Sequence, residues 1–266
     1  MENPAEKNAG RFAGFAPLYA QVRPALPVRA AELVTLYLGR QPGLVADMGC
    51  GTGLSTYVWA GRCREVVGIE PGAEMLAEAR AKAVPGVSFV QAFAHDTGLP
   101  DACADAVVCS QSFHWMEPVS TLAEVGRLLV PGGVFAAVDC DWPPLCGVEA
   151  ELAYARLFAS VARAEAETPA LRDASVKWPK ENHLRSLRES GHFRFVREAV
   201  FDSEEACTAD RLCGLAFSQG GFQAALKARP DIVGAQAERF CDTLRCLFGA
   251  DTFPIRFGYR MRIGVK

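Results

Sequence analysis

Several features are missing from this sequence, and each absence removes a class of function. No stretch of the 266 residues approaches the roughly 20 apolar residues that a membrane-spanning helix needs, and the opening "MENPAEKNAGRF" has no apolar leader-type run. A cytoplasmic protein is therefore expected, with no membrane partner. Basic residues are not in excess either. The formal charge is −3 and the pI about 5.9, so the electrostatic footprint of a chain that grips nucleic acid or anionic lipid is lacking. The expected partner is a small molecule. Ten cysteines are present, yet no C-x-x-C pair occurs among them, and Cys103, Cys109 and Cys140 lie within or beside apolar runs. They read as small core residues, with a thiol in a substrate pocket as the alternative. No internal repeat or low-complexity tract appears.

Half of the residues are apolar, enough for one large domain or one domain with a small insertion. Between 43 and 139, short β-branched runs ("LVADM", "EVVGIE", "VSFVQA", "DAVVCS", "GVFAAVD") alternate with stretches of helical periodicity. The latter are "LSTYVWAGR", "GAEMLAEARAKA" and "EPVSTLAEVGRLL", a rhythm that predicts a parallel α/β sheet. "PGG" at 131 to 133 is expected to turn the last of these helices into its strand. Residues 11 to 40 read as two helical segments broken by Pro24 and Pro27, placed to cover the sheet edge or its ligand. After Asp139 the rhythm is lost. "GVEAELAYARLFASVARAEAE" predicts a long helix, and "PKENHLRSLRESG" a second one ended by Gly191. "FRFVREAVF" and "FPIRFGYRMRIGV" predict two further strands, separated by helical stretches.

The segment "VADMGCGTGLST", residues 45 to 56, carries three glycines behind one acid, between a strand and a predicted helix. Such a turn lets backbone approach a nucleoside ligand without a Cβ, beside the positive end of a helix. A dinucleotide fingerprint would need a glycine where Leu54 stands, and a phosphate-binding P-loop would need a lysine that is not there. The pattern is instead acidic-x-G-x-G-x-G. Asp47 beside the turn would repel a pyrophosphate but favours a ligand carrying an ammonium or sulfonium. At the end of the next strand stands Glu70, where it could accept from two ribose hydroxyls or simply cap the helix that follows Gly72.

Together, "VADMGCGTG", "VVGIEPGAEMLAEA", "GLPDACADAVVCSQSFHW" and "EVGRLLVPGGVFAAVD" resemble the successive motifs of class I S-adenosylmethionine-dependent methyltransferases. "FAPLYAQVRPALP" and the "FHW" after the fourth strand are similar to the small-molecule branch that includes trans-aconitate methyltransferase-like proteins. The resemblance covers residues 12 to 139 and, more loosely, the last strand. It implies a Rossmann-like α/β fold with a seven-stranded, mostly parallel sheet in the order 3-2-1-4-5-7-6, helices on both faces and an antiparallel last strand. It also implies S-adenosyl-L-methionine as cofactor and S-adenosyl-L-homocysteine as product. On this basis residues 1–40 form an N-terminal helical lid, 41–140 the cofactor-binding core, 141–180 a helical substrate cap, and 181–266 the rest of the core with the last two strands.

Carried over position by position, the resemblance assigns Asp47, Gly49, Cys50, Gly51 and Gly53 to the methionine portion and Glu70 to the ribose. Pro71 and Met75 would flank the adenine. Its amino group would be met near Ala94, His95 and Asp96, where the family's acid is displaced by one position. Ser110 and Gln111 would approach the methionine backbone, Arg23 its carboxylate, and Tyr19 the sulfonium. Substrate contacts are expected from Phe15, Phe113, His114, Trp115 and Trp142.

Methyl transfer to a small acceptor, most simply at oxygen, is an in-line displacement that needs alignment, desolvation and, for some acceptors, a base. No metal is expected. His114 is the candidate base, with local hydrogen bonding as the alternative. "DWPP" at 141 to 144 superficially resembles the D-P-P-Y box of enzymes that methylate nucleobases or glutamine, but it follows the fifth strand and Trp142 breaks its order. A macromolecular acceptor and a non-catalytic cofactor-binding protein are the rival readings. The cations Lys177, Lys180, Arg185, Arg188, Arg194 and Arg197 read as a solvated face, with contact to an anionic substrate as the alternative. Arg256, Arg260 and Arg262 alternate with apolar residues as the charged side of an edge-type strand.

Overall fold

The computed structural model describes residue 8 and residues 14–82, 84–173 and 175–266. Apart from Asn8, the part of the expected lid before residue 14 lies outside the described residues. A seven-stranded sheet runs in the order β3-β2-β1-β4-β5-β7-β6. Its strands are β1 Leu44–Met48, β2 Glu65–Ile69, β3 Val87–Val90, β4 Ala104–Ser110, β5 Leu129–Cys140, β6 Phe195–Cys207 and β7 Phe253–Val265. The first five pair in parallel, and β7 runs antiparallel to both β5 and β6. Strand order and orientation match those implied by the resemblance.

Because helices cover both faces, the central strands are apolar on both, as the unbroken burial along β4 requires. Val45 of β1 and Val134 and Val138 of β5 pack with Val34 of helix Val28–Leu38 and with Leu157 of helix Val148–Glu167. Even positions of β1 and the opposite register of β5 (Ala46, Met48, Phe135, Ala137) pack with Leu122 and Val125 of helix Pro118–Leu128 and with Leu187. Helix Pro118–Leu128 starts as its sequence dictates. Pro118 needs no amide partner there, and the Glu117 carboxylate accepts from the Val119 and Ser120 amides.

Two local expectations are corrected. "LSTYVWAGR" forms only a 3-10 turn, Thr56–Trp59, because its side chains are taken by other work: Ser55 and Thr56 bond inward to Asp47 and Trp59 is fully buried. "PGG" does not break the chain after the helix. Residues 131 to 133 already belong to β5, which begins at Leu129.

The helical cover beyond β5 comes from two places. Helix Val148–Glu167 packs against helix Pro230–Phe248, which lies between β6 and β7, together with helices Ala209–Phe217 and Gly220–Ala228. Cys213 and Cys241, on two of these helices, pair as a disulfide with Cα atoms 5.7 Å apart, unlike the free cysteines read correctly as core residues, such as Cys109 and Cys140. In front of the sheet, helix Ala16–Val22 docks on helix Ala209–Phe217, where Gly214 has no side chain to collide with Val22. No helix among the described residues is long and apolar enough to cross a membrane.

Candidate active site

The carboxyl ends of β1, β2 and β4 meet at a cavity of about 360 Å³. Its floor is the turn after β1. Gly49, Gly51 and Gly53 all have positive φ (66°, 56° and 81°), a conformation that L side chains resist. The amides of Gly49 and Cys50 both donate to the Ile69 carbonyl, at 2.8 and 3.1 Å, so the turn is laid across the end of β2. A Cβ on Gly49 would stand 2.7 Å from Met116 Cε and Ser112 Cβ, whereas one on Gly51 would enter the cavity 3.1 Å from Met75 Cε. Gly53 faces Tyr57, Phe89 and Ala79 instead and belongs to the packing beneath the turn.

Two acids support this turn from below and from the side. Asp47 is fully buried, and one of its oxygens accepts from Ser55 Oγ and Thr56 Oγ1, both at 2.6 Å. Burial pushes its carboxyl up to about 6 against these two hydroxyls. The other oxygen, Oδ1, is buried with no hydrogen-bond partner among the described residues. Glu70, 8% exposed, lines the cavity. Its Oε2 accepts the Gly51 amide at 3.0 Å and its Oε1 the Gly72 amide at 2.8 Å. Burial raises its pKa, and the two amides oppose that rise. Glu70 thus holds the Gly72 amide at the start of helix Ala73–Arg80 and still faces the cavity.

One wall is made by Cys50, Pro71, Met75, Phe93, Ala94 and His95. His95 stacks on Phe93 at 5.6 Å. Asp96 stands outside this lining, exposed, its amide closing a short turn onto the Phe93 carbonyl. The end of β4 supplies Ser110, Gln111 and Ser112. Gln111 holds a φ of 56°, rare for a side chain of its kind, while its amide donates to the Val138 carbonyl. Ser112 Oγ ties the next turn to the Met48 carbonyl at 2.7 Å.

The opposite wall is aromatic, with Tyr19, Trp115 and Trp178 beside Pro24, Leu26 and Met116. Phe15, which precedes helix Ala16–Val22, is not part of this lining. Arg23 turns away from it. The guanidinium donates to Ser218 Oγ at 2.8 Å and to the Ser218 carbonyl at 3.2 Å, lying between the rings of Tyr19 and Trp142. Trp142 in turn packs edge-on against Phe257, outside the cavity lining. Phe113 is a core residue, 1% exposed, between Phe135 and His183.

His114 lies behind the wall and not on it. Its Nδ1 is 3.6 Å from Asp139 Oδ1, and burial drives its pKa down to about 4. Asp139 is the centre of a buried ionic cluster that the sequence reading missed. His183 Nδ1 lies 3.1 Å from its Oδ2, Lys180 Nζ 3.0 Å from its Oδ1, and Arg262 Nη1 donates to Oδ2 at 2.7 Å. Burial opposes the charge on Asp139, but the two imidazoles and the Lys180 ammonium outweigh it and hold the carboxyl well below the usual range. Arg262, read as solvent-facing, is 4% exposed and also faces Glu198 at 2.9 Å. Asn8 and Trp178 were missed as well. Asn8 Nδ2 donates to the carbonyls of Trp115 and Val176, both at 2.8 Å, and Asn8 lines the cavity. Among the described residues no cluster of side chains could hold a metal ion.

Residues 46–137 match the model of the methyltransferase domain family. A methyltransferase of Mycobacterium bovis whose name gives no substrate is 36% identical over 115 residues, 43% of this chain and 46% of that protein. A trans-aconitate 2-methyltransferase of Acidovorax sp. is 36% identical over 110 residues, 40% of this chain and 42% of that protein. The chain thus spans less than half the length of these curated relatives. In structure, a candidate type II methyltransferase from Anaeromyxobacter dehalogenans is similar over 91% of this chain and 97% of its own, with 25% identity and a TM-score of 0.68. The YcgJ protein of Bacillus subtilis shares the fold alone, at 17% identity and a TM-score of 0.53 over 90% of this chain and 98% of its own. By its glycine turn with Asp47 and Glu70, its strand order and these likenesses, the chain carries a methyltransferase domain over residues 46–137 and is similar to the class I S-adenosylmethionine-dependent methyltransferases.

Proposed function

We propose that this chain transfers a methyl group from S-adenosylmethionine to a small organic acceptor, at an oxygen atom. One observation carries the reading: a single cavity joins the Gly49–Gly51 floor, Glu70 and the Pro71–Met75 wall to the aromatic side made by Tyr19, Trp115 and Trp178. The bound cofactor supplies an electrophilic methyl on a sulfonium. Glu70 is suited to the ribose, since a carboxylate that already accepts two amides keeps lone pairs for hydroxyl donors. Gly51 gives the methionine portion close backbone approach, and Pro71, Met75 and Phe93 give the adenine an apolar slot.

On the acceptor side, the chain's own contribution is alignment and exclusion of water by Tyr19, Leu26, Trp115 and Trp178. An ionised carboxylate oxygen would need no base, and this agrees with a His114 ring set behind the wall. Relatives are named for trans-aconitate, an acid, and a carboxylate acceptor is in keeping with that name. We take residues before 40 as lid, with the helices after β5 and β6 as cap, and place the protein in the cytoplasm with no nucleic-acid partner, in keeping with its charge of −3.

Incubation with methyl-labelled cofactor and a metabolite extract tests this reading. Label is expected in small molecules and should be released by base where it sits in an ester. Label confined to protein or nucleic acid would overturn the small acceptor. Retained S-adenosylhomocysteine binding without any transfer would make the chain a binding protein.

A further inference from the structure

The ionic cluster around Asp139 lies directly behind the aromatic wall. Asp139 is the penultimate residue of β5 and 3% exposed, near the sheet face on which Phe113 and Leu187 pack. Arg262, two residues along β7 from Arg260, the register partner of Asp139, already compensates its charge within the sheet. The other partners come from outside the sheet. His114 belongs to the 3-10 turn Phe113–Trp115, and Lys180 and His183 follow a segment, 175 to 179, that has no helix or strand of its own.

Those two pieces of chain carry Trp115 and Trp178 into the cavity. They are sewn together at two further points: the Trp178 amide donates to the His114 carbonyl at 2.9 Å, and Asn8 bridges the Trp115 carbonyl to Val176. A segment without regular hydrogen bonding depends on such lateral ties for its position. Lys180 is the informative member. Its side chain is 35% exposed and could reach water, yet its ammonium sits 3.0 Å from a buried carboxylate that has another cation. Burying a charge pair is seldom worth its desolvation for stability alone, so a fixed position for what the lysine carries is the gain to look for.

We propose that Asp139 is a positioning residue, which through Lys180 and His114 holds the two chain segments bearing Trp178 and Trp115 as a rigid wall of the ligand cavity. The proposal rests on reading the cavity as the cofactor and acceptor site.

Because Asp139→Asn strips a buried cluster and can fail to fold, the test uses Lys180→Gln, with Lys180→Arg as the rescue. Hydrogen exchange followed by mass spectrometry reads the amides of Val176, Lys177 and Trp178, and calorimetry reads the affinity for S-adenosylhomocysteine. In Lys180→Gln, exchange at 176 to 178 is expected to rise at least tenfold and the dissociation constant at least threefold. Exchange in β1 and β4 should stay at the parent's rate, and Lys180→Arg should restore both quantities. Parental exchange at 176 to 178 would overturn the proposal. So would acceleration shared by the whole chain, which marks a general stabilising role, or a loosened segment with unchanged affinity. If the parent itself does not bind S-adenosylhomocysteine, the functional reading fails and the exchange data alone decide whether Lys180 pins the wall.

Discussion

Glu70 Oε2 accepts the amide of Gly51 at 3.0 Å, so the acid that ends β2 is fastened to the middle glycine of the turn that ends β1. The second oxygen holds the Gly72 amide, which makes one carboxylate common to two loops of the cavity. We predict that Glu70→Ala weakens S-adenosylhomocysteine binding by roughly 1.5 to 3 kcal/mol, the scale of hydrogen bonds to a charged group. Glu70→Gln should fall between, because an amide oxygen can keep only part of the acceptor set. Calorimetric titration measures both; unchanged affinity in the alanine variant would remove Glu70 from the site.

The glycines of the turn are predicted to fail in different ways. At Gly51 a side chain enters the cavity, so Gly51→Val should abolish detectable S-adenosylhomocysteine binding while far-UV circular dichroism stays near the parent's. At Gly53 a Cβ would stand 3.0 Å from Tyr57 and 3.2 Å from Phe89, at a φ of 81°. Gly53→Ala should therefore lower the thermal midpoint first, with binding lost only through unfolding. Equal behaviour of the two variants would show that the turn does not divide into a ligand face and a packing face.

Which parts of this site were legible in the sequence follows from how far apart their partners lie. Asp47, the glycines and Glu70 are carried by one βαβ unit, whose geometry fixes where the end of each strand stands, and so their clustering could be anticipated. Ser110 and Gln111 were legible for the same reason. Arg23 was not, because its partner Ser218 is 195 residues away on a helix cap that no local pattern announces. Arg262 shows a further limit. Alternation on β7 is real, with Arg256 and Arg260 exposed, but burial of the third arginine depends on Asp139, in β5, on the same side of the sheet. A lone acid at the end of an apolar strand was the available signal. His114 was placed correctly beyond β4, while its orientation, inward to Asp139, is decided by packing with Trp115 and the 175–183 segment.

The Arg23–Ser218 contact is predicted to latch the lid onto the cap. Arg23 offers a planar donor set to Ser218 while stacking on Trp142 at 4.6 Å, a combination that lysine cannot reproduce. Arg23→Lys and Ser218→Ala should each cost roughly 1 to 2 kcal/mol of local closing free energy. The expected signature is faster hydrogen exchange in helix Ala16–Val22 and quicker proteolysis near Pro24 and Pro27, with β1 and β4 unaffected. If exchange in that helix matches the parent in both variants, the lid is held without this latch, by Val22 against Gly214 and by Arg211 Nε on the Val22 carbonyl.

The last prediction uses the depressed pKa of His114 to ask whether the ring is buried as described. Its ordinary pKa is about 6.5, and burial, partly opposed by Asp139, brings it to about 4 in the folded chain. Between these values the unfolded chain takes up a proton that the folded chain refuses, so stability present above pH 6.5 is lost as pH falls toward 4. Asp47 acts in the opposite sense, because its carboxyl, raised to about 6, is protonated first in the folded state. The parent alone therefore reports a mixture, and the comparison with His114→Gln isolates the histidine. Denaturant unfolding at pH 7 and pH 5 should show the parent losing up to about 2 kcal/mol more than the variant over that interval. Equal losses would mean that His114 titrates like a solvated imidazole, which would bring it out to the cavity and revive its candidacy as the catalytic base.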